Sequence, residues 1–249
     1  MKENKQKPHI LAIHIDALSE YLDRHKLPKF IAKQIYDWVY KKYILDCDKM
    51  RNISKSNREI LKTILNWDWC ESVTKVQGPK EMATKCIAKL VDNTKIESVI
   101  LKEKKYYTLC VSSQSGCPVD CKFCLTGIVG FKRNLKPEEI VGQVLYANQQ
   151  GQTISNLVFM GMGEPLLNDK AVFKAIDIMT AEEGFNISKR KITVSTSGYL
   201  EGIKRLIKDN REVNLAFSVG HPNPIKRQNL IPLEKRNPFH EVCRTIRQY

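Results

Sequence analysis

The chain has 249 residues, of which 42% are hydrophobic, and its formal net charge is +14 at pH 7. This length and apolar content suffice for one large domain, or for a large domain with a small one. No apolar run approaches a membrane span and no signal-peptide core follows the N-terminus, so we expect a cytoplasmic protein. The excess positive charge suits a polyanion such as folded RNA, and equally an ordinary basic protein.

Apolar residues at helical spacing predict a small helical domain over residues 1–70. The first helix lies within residues 10–25, where apolar residues recur at positions 11, 15, 18 and 22. A second helix begins after Pro28, and Ser54 or Ser56 caps a third. We assign these residues to the inner face of the second helix: Phe30, Ile31, Ile35, Trp38 and Val39.

From residue 71 onward apolar and polar residues alternate, which predicts strands instead of helices. The predicted strands are 73–76, 84–90, 96–101 and 107–112. We therefore interpret residues 71–106 as a β-meander that extends into the fourth strand.

Strands and helices alternate in residues 107–249. The predicted strands are 107–112, 156–160, 191–195 and 213–218, and the predicted helices are 137–148, 171–180, 200–208 and one from 239 onward. Near-continuous apolar strands alternating with helices are typical of a parallel sheet covered by helices. The predicted fold class is therefore α/β, with its main unit in residues 107–249.

Three cysteines follow the strand at 107–112, with three and two residues between them: Cys117, Cys121 and Cys124. Thiolates favour iron–sulfur clusters, zinc or copper(I), and cysteines in a cytosolic chain indicate metal or redox chemistry more than disulfides. A [4Fe–4S] cluster takes one cysteine per iron, so three cysteines leave one iron open for another ligand. A structural zinc ion prefers four ligands, and Cys110 could complete that set.

Polar or flexible residues follow each strand of the main unit, at the sheet edge where α/β proteins bind ligands. The loops after the second, third and fourth strands are Gly161-Met162-Gly163-Glu164-Pro165, Ser195-Thr196-Ser197-Gly198 and Ser218-Val219-Gly220-His221. Glycines permit close backbone approach, and a carboxylate accepts hydrogen bonds. A cofactor with amino, ribose and adenine groups can use all of these loops. Taken alone, Glu97 is interpreted as a solvated strand residue and Cys110 as a buried core thiol.

The cysteine spacing, Phe123 before the third cysteine and Gly-Glu-Pro after the next strand resemble the radical S-adenosylmethionine (SAM) superfamily. Longer segments resemble one branch, the RlmN/Cfr RNA methyltransferases, and the resemblance covers residues 10–249. These segments are Ser112–Cys117, Phe131–Leu135, Phe159–Asn168, Val194–Gly198 and, in the helical domain, Ala32–Tyr40. Gly163-Glu164-Pro165 fits RlmN better than Cfr, which lacks the proline.

The resemblance implies a partial (β/α) barrel with a [4Fe–4S] cluster and SAM as cofactors. It implies that three cysteines bind three irons, while the fourth iron binds the amino and carboxylate groups of SAM. The implied ligands and SAM contacts are Cys117, Cys121, Cys124, Gly163, Glu164, Ser195, Ser218, Val219 and Gly220. Glu97 matches the proposed base of the family, and Cys110 matches the cysteine thought to close a disulfide after methyl transfer.

The reaction implied by the resemblance is methylation of carbon 2 of adenosine in 23S ribosomal RNA and transfer RNA. Because that carbon is not nucleophilic, such enzymes first methylate a cysteine of their own and then use a radical derived from SAM. The implied partners are these RNAs and an electron donor such as flavodoxin, with residues 1–70 as an RNA-binding accessory domain. We expect a monomer without a membrane partner.

Two features depart from the family pattern. Gly220 stands where the family usually has a histidine, and His221 follows it. The methyl-carrying cysteine of the family lies well beyond the position of Tyr249, and Cys243 matches no such motif. The resemblance therefore predicts a C-terminally truncated chain that binds the cluster and SAM and does not methylate RNA alone.

Two other functions stay open. One is a different radical SAM enzyme, such as an activase or a methylthiotransferase, although Cys47, Cys70 and Cys86 do not supply the extra cluster cysteines of the latter at motif spacing. The other is a non-catalytic, zinc-bound RNA-binding module. The iron, sulfide and zinc contents after anaerobic reconstitution separate these functions.

Overall fold

The structure is a computed structural model that describes residues 7–78 and 82–249. Its helices are α1 Ile15–Arg24, α2 Phe30–Tyr36, α3 Lys55–Ile64, α4 Leu125–Val129, α5 Pro137–Gln149, α6 Asp169–Thr180, α7 Leu200–Lys208, α8 Pro224–Leu230 and α9 Phe239–Ile246. Its strands are β1 Ser72–Gln77, β2 Ala83–Lys89, β3 Lys95–Lys102, β4 Tyr107–Cys110, β5 Gln114–Ser115, β6 Arg133–Asn134, β7 Ile154–Phe159, β8 Ile192–Thr196 and β9 Asn214–Phe217. In the described residues, no helix has both the length and the apolar content to cross a membrane.

The helices ahead of β1 follow the prediction except at the start of the first. His14 has an extended backbone, with φ −70° and ψ 152°, so α1 begins at Ile15 and Ile10–Ala12 forms a separate 3-10 turn. Ser54 caps α3, because its hydroxyl accepts a hydrogen bond from the N–H of Asn57. The apolar spacing therefore located α1 correctly, but it did not predict the break between the 3-10 turn and α1.

The inner face predicted for the second helix is correct at Ile31, Ile35 and Val39, which are buried. Phe30 is an error, because its side chain is 65% exposed. Successive residues of a helix are about 100° apart, so Phe30 lies to the side of the row that Ile31 and Ile35 form. After α2 the backbone widens into a π turn over Asp37–Lys41, and this turn carries Val39 into the core.

In the described part of the chain, seven strands form one sheet in the order β1-β2-β3-β4-β7-β8-β9. The pairs from β1 to β4 are antiparallel, which is the predicted meander. The pairs from β4 through β7 and β8 to β9 are parallel, and helices connect these strands. The predicted α/β class is therefore confirmed. The small antiparallel pair of β5 and β6 was not predicted.

The two faces of the parallel strands differ in burial. Leu157, Phe159 and Val194 are buried on the face that the helices cover. On the other face Cys110 pairs with Val158, which pairs with Thr193 in turn, and these residues are only half-buried. This open face and the strand ends beside it contain the predicted site.

One apolar core joins the N-terminal helices to the main unit. The ring of Tyr40 meets the ring of Phe185 edge-on at 5.0 Å between centroids, and the ammonium group of Lys41 donates to the carbonyls of Glu182 and Gly184 at 3.0 and 2.9 Å. These contacts fix the helical part against the loop after α6.

Gly142→Ala is expected to lower the free energy of unfolding by about 1–3 kcal/mol, the usual cost of overpacking a core. Gly142 lies in α5, where an added Cβ atom would come within 2.2 Å of the ring of Trp69. Urea unfolding of the two proteins measures the difference. Combined with Trp69→Leu, the change is expected to cost less than the sum of the single changes. Additive costs would contradict this contact.

Candidate active site

The cysteine loop, residues 117–124, begins just after β5 and ends at the first turn of α4. Cys121 and Val119 pack on Ile231, and the N–H of Lys122 donates to the carbonyl of Leu230 at 2.9 Å. The N–H of Cys124 donates back to the carbonyl of Cys121 at 3.0 Å. These bonds hold the loop on the segment at the end of α8, which the sequence analysis did not predict.

A cavity of about 270 Å³ lies between this loop and the ends of three strands. It brings together seven of the predicted site residues: Cys117, Cys121, Cys124, Gly163, Glu164, Ser195 and Ser218. The hydroxyl oxygens of Ser195 and Ser218 are 3.5 Å apart, and the hydroxyl of Ser197 is 4.0 Å from the sulfur of Cys121. Val219 and Gly220 do not line this cavity.

The thiols of the cysteine loop are partly desolvated. Burial raises the pKa of Cys117 to about 11 and also raises the pKa of Cys121, where the Ser197 hydroxyl opposes the shift. In the described residues, no three cysteine, histidine, aspartate or glutamate side chains converge on a single metal ion. A four-iron cluster needs a wider arrangement, because each thiolate binds a different iron. Three thiols around one cavity fit such a cluster, and the serine and glutamate oxygens beside them fit a polar cofactor.

Glu164 is almost completely buried and joins two of the strand ends. Its carboxylate accepts hydrogen bonds from the N–H of Ser197 at 2.7 Å and from the N–H of Leu166 at 3.2 Å. Burial raises the pKa of Glu164, and these hydrogen bonds oppose the rise. The N–H of Glu164 donates to the side chain of Gln114 at 2.8 Å, which in turn donates to Asn134 at 2.7 Å.

This polar network includes residues that the sequence analysis did not single out. Gln114 is buried, and Asn168 donates from its amide to the carbonyls of Ser113 and Leu135, each at 2.8 Å. Buried polar groups need such partners, so the network fixes the glycine loop, residues 161–165, and the segment that follows it against β5, which precedes the cysteine loop, and β6. The polar run between β4 and Cys117 was the available signal for it.

A second cavity of about 470 Å³ contains Glu97 and adjoins the first, since Thr126 lines both. The carboxylate of Glu97 is 44% exposed and lies 3.0 Å from the ammonium group of Lys85. The hydroxyl of Ser112 donates to the backbone carbonyl of Glu97 and accepts from the N–H of Met162. The cavity therefore lies between the strand that carries Glu97 and the glycine loop.

Cys110 lies on the open face of the sheet, opposite Val99 and Val158 in the register, but lines neither cavity. Burial raises the pKa of its thiol. All eight cysteines of the chain are free. The disulfide that the resemblance implied for Cys110 is therefore not formed, and that expectation is corrected. Within this chain Cys110 is a thiol.

The departure at Gly220 has a backbone cause. Its φ is +68°, and a Cβ atom would lie 2.8 Å from the side chain of Ile231. A histidine at this position would be strained in this conformation. The ring of His221 accepts a hydrogen bond from the N–H of Asn223 at 3.0 Å and does not line the cavity. Neither position supplies a ring to the site.

Gly116→Ala is expected to destabilise the protein more than Gly130→Ala by about 2 kcal/mol. Both glycines have positive φ, +79° and +82°, so both changes cost about 1–3 kcal/mol of backbone strain. Only at position 116 does the added Cβ atom collide, 1.7 Å from the carbonyl oxygen of Gly130. Thermal unfolding of both variants measures the difference, and equal losses would contradict the close approach.

Comparison with known proteins identifies the family. Residues 111–249 match the model of the radical SAM superfamily, and residues 9–66 match that of the ribosomal RNA large subunit methyltransferase N-terminal domain. The "Probable dual-specificity RNA methyltransferase RlmN" of Aquifex aeolicus is 44% identical over 90% of this chain and 65% of its own length. The "Dual-specificity RNA methyltransferase RlmN" of Vesicomyosocius okutanii is 39% identical over 98% and 69%. The chain belongs to the RlmN family of the radical SAM superfamily.

A solved structure has the same fold. A crystal structure of a radical SAM methyltransferase from Sphaerobacter thermophilus superposes with a TM-score of 0.92 at 37% sequence identity, over 97% of this chain and 72% of that one. The chain spans about two thirds of the length of the curated RlmN relatives named above. Membership of the radical SAM superfamily implies a [4Fe–4S] cluster and SAM as cofactors.

Proposed function

We propose that this RlmN-family chain takes part in methylation of carbon 2 of adenosine in 23S ribosomal RNA and transfer RNA, through the methyl-cysteine route that the resemblance implies. One observation carries the proposal. Three cysteines share a cavity with Glu164 and three serines, and the neighbouring cavity contains a carboxylate, Glu97. The first cavity suits a cluster with SAM, and the second suits a base beside it.

We assign the cluster to Cys117, Cys121 and Cys124, which leaves one iron for the amino and carboxylate groups of SAM. When bound, the cluster supplies an electron for the reductive cleavage of SAM. The hydroxyls of Ser195 and Ser218 face the same cavity and suit the polar groups of SAM. The other proposed SAM contacts are Gly163, Glu164, Val219 and Gly220, of which the last two can contribute only from outside the cavity lining.

Glu97 is the proposed base that removes the ring proton. Its carboxylate opens into a cavity whose wall includes the apolar side chains of Leu125 and Val129, and these suit the face of a planar base. The ammonium group of Lys85 lies 3.0 Å from this carboxylate. Cys110, a thiol on the same face of the sheet, is the second proposed catalytic residue.

We propose three functional regions: residues 1–70 as an RNA-binding accessory domain, 71–106 as a β extension and 107–249 as the radical SAM core. The net charge of +14 supports RNA as the partner, because Lys and Arg side chains neutralise phosphates. The proposed electron donor is a flavodoxin-like protein. We also propose that the protein acts in the cytoplasm as a monomer.

Mass spectrometry of adenosines tests the proposed function. RNA is taken from cells with and without the gene that encodes this chain, and ribosomal and transfer RNA are digested separately. We expect 2-methyladenosine in the first cells and its loss from one or both RNA fractions in the second. Restoring the gene with Glu97→Gln should not restore the modification, whereas Lys102→Gln, a change at the far end of the same strand and outside both cavities, should. Unchanged 2-methyladenosine after removal of the gene contradicts the proposal.

A further inference from the structure

We propose that Arg227, in α8, is a positioning residue that holds the SAM-binding strand ends and the cysteine loop in register. The proposal rests on the proposed function, because it concerns SAM binding at the same site. Arg227 does not line the cavity. It acts through the backbone of residues that do, or that lie next to them.

The guanidinium group of Arg227 has no exposed surface and contacts the ends of two strands. It donates to the carbonyl of Ser197 at 2.6 Å and to the carbonyl of Val219 at 2.9 Å. Its third partner is the carboxylate of Glu234, which is also buried. The guanidinium carbon lies 5.2 Å from the ring centre of Phe217, the last residue of β9.

One carbonyl belongs to a residue that lines the cavity, Ser197, and the other to the neighbour of such a residue. The N–H of Ser197 donates to Glu164 at 2.7 Å, and its hydroxyl lies 4.0 Å from the sulfur of Cys121. Val219 directly follows Ser218, whose hydroxyl is 3.5 Å from that of Ser195. Displacing the two carbonyls therefore moves the serines and the carboxylate that face the cavity.

The same segment supports the cysteine loop. Leu230, the last residue of α8, accepts a hydrogen bond from the N–H of Lys122, and Ile231 packs on Val119 and Cys121. Arg227 thus ties the β8 and β9 ends to an element on which the cluster ligands rest. The distance between cluster and SAM depends on this connection, so small shifts of either element change it.

Arginine suits this position and lysine does not. The guanidinium fork reaches two carbonyls and a carboxylate in fixed directions, whereas an ammonium group is a single point charge. A purely structural buried ion pair can often be replaced by apolar residues of similar volume without loss of stability. Apolar residues cannot replace the hydrogen bonds that Arg227 donates to the two carbonyls. An apolar replacement of the ion pair therefore distinguishes a positioning role from a structural one.

The test uses four variants of the reconstituted protein: Arg227→Lys, the double change Arg227→Met with Glu234→Met, Glu234→Gln, and Arg211→Lys. Arg211 is the matched control, since it pairs with Asp177 and Asp209 away from the cavity. For each variant we measure the iron content, the thermal unfolding and, by equilibrium dialysis, the dissociation constant for SAM. We also record how the electron paramagnetic resonance signal of the reduced cluster changes when SAM is added.

We expect Arg227→Lys and the double variant to keep their iron and to bind SAM at least about tenfold more weakly than the unaltered protein. Glu234→Gln leaves the buried guanidinium without its anionic partner, so this variant is expected to unfold at a lower temperature. Arg211→Lys is expected to bind SAM within about twofold of the unaltered protein. Unchanged SAM affinity in either iron-loaded Arg227 variant overturns the positioning role, as does an equal loss in Arg211→Lys. If the double variant fails to fold, Arg227→Lys decides. If the unaltered protein itself ignores SAM, the proposed function fails instead.

Discussion

Cys121→Ser is expected to abolish cluster assembly, reducing iron from about four atoms per protein to a small residue. Serine preserves the volume and the packing on Ile231 and removes the soft ligand, so two thiols are left to hold the cluster. Iron and sulfide determination after anaerobic reconstitution measures the loss.

Cys243→Ser is the matched control, because Cys243 is half-buried in α9 and does not line the cavity. We expect this variant to keep its full iron content. Cys86→Ser provides a second control from the β-meander. Retention of about four irons by Cys121→Ser would show that the cluster, or another metal, is held elsewhere.

Glu164→Ala is expected to weaken SAM binding at least about tenfold and to lower the free energy of unfolding by about 3 kcal/mol. The change removes the acceptor for the N–H groups of Ser197 and Leu166, and leaves both donors buried without that partner. Urea unfolding of the apoprotein gives the stability, and equilibrium dialysis of the iron-loaded protein gives the affinity. Losses below 1 kcal/mol and an unchanged affinity would contradict this role of the carboxylate.

Glu164→Gln isolates the charge of the same side chain. Burial raises the pKa of Glu164 above its ordinary value of 4.5, so the folded protein keeps this proton at pH values at which the unfolded chain has lost it. The contribution of this group to stability is therefore present at low pH and falls as pH rises through the raised pKa. Relative to Glu164→Gln, the unaltered apoprotein is expected to lose stability with rising pH above about 4.5. A difference that is independent of pH would contradict the shift.

Local patterns predicted most of the elements. The spacing of apolar residues places α7 at 200–208, as observed, because the helix presents one apolar stripe to the core. The short helix α8 was missed because its buried residue is a charged one, Arg227. Neither the spacing of apolar residues nor the charge pattern therefore identifies its inner face. Phe30 was misplaced because composition alone does not define which side of α2 meets the core.

The candidate site likewise combines a local motif, which the sequence predicted, with long-range contacts, which it did not. The three cysteines form a local motif, and all three line one cavity. The contact of Arg227 with the carbonyl of Ser197 spans 30 residues, and the bond from Gln114 to Glu164 spans 50. Such contacts depend on the parallel pairing of strands that are distant in the chain, and no spacing in the sequence specifies them. The pairing of Glu97 with Lys85 joins two consecutive antiparallel strands, β2 and β3, and depends on their register.

Electron paramagnetic resonance of the anaerobically reconstituted and reduced protein, recorded with and without SAM, tests whether the cluster forms and binds SAM. Three cysteines leave one iron of a [4Fe–4S] cluster free for SAM, so we expect a reduced cluster whose signal changes when SAM is added. Cys121→Ser should give no such signal. A protein loaded with zinc instead of iron, or a cluster signal that SAM leaves unchanged, would contradict the account.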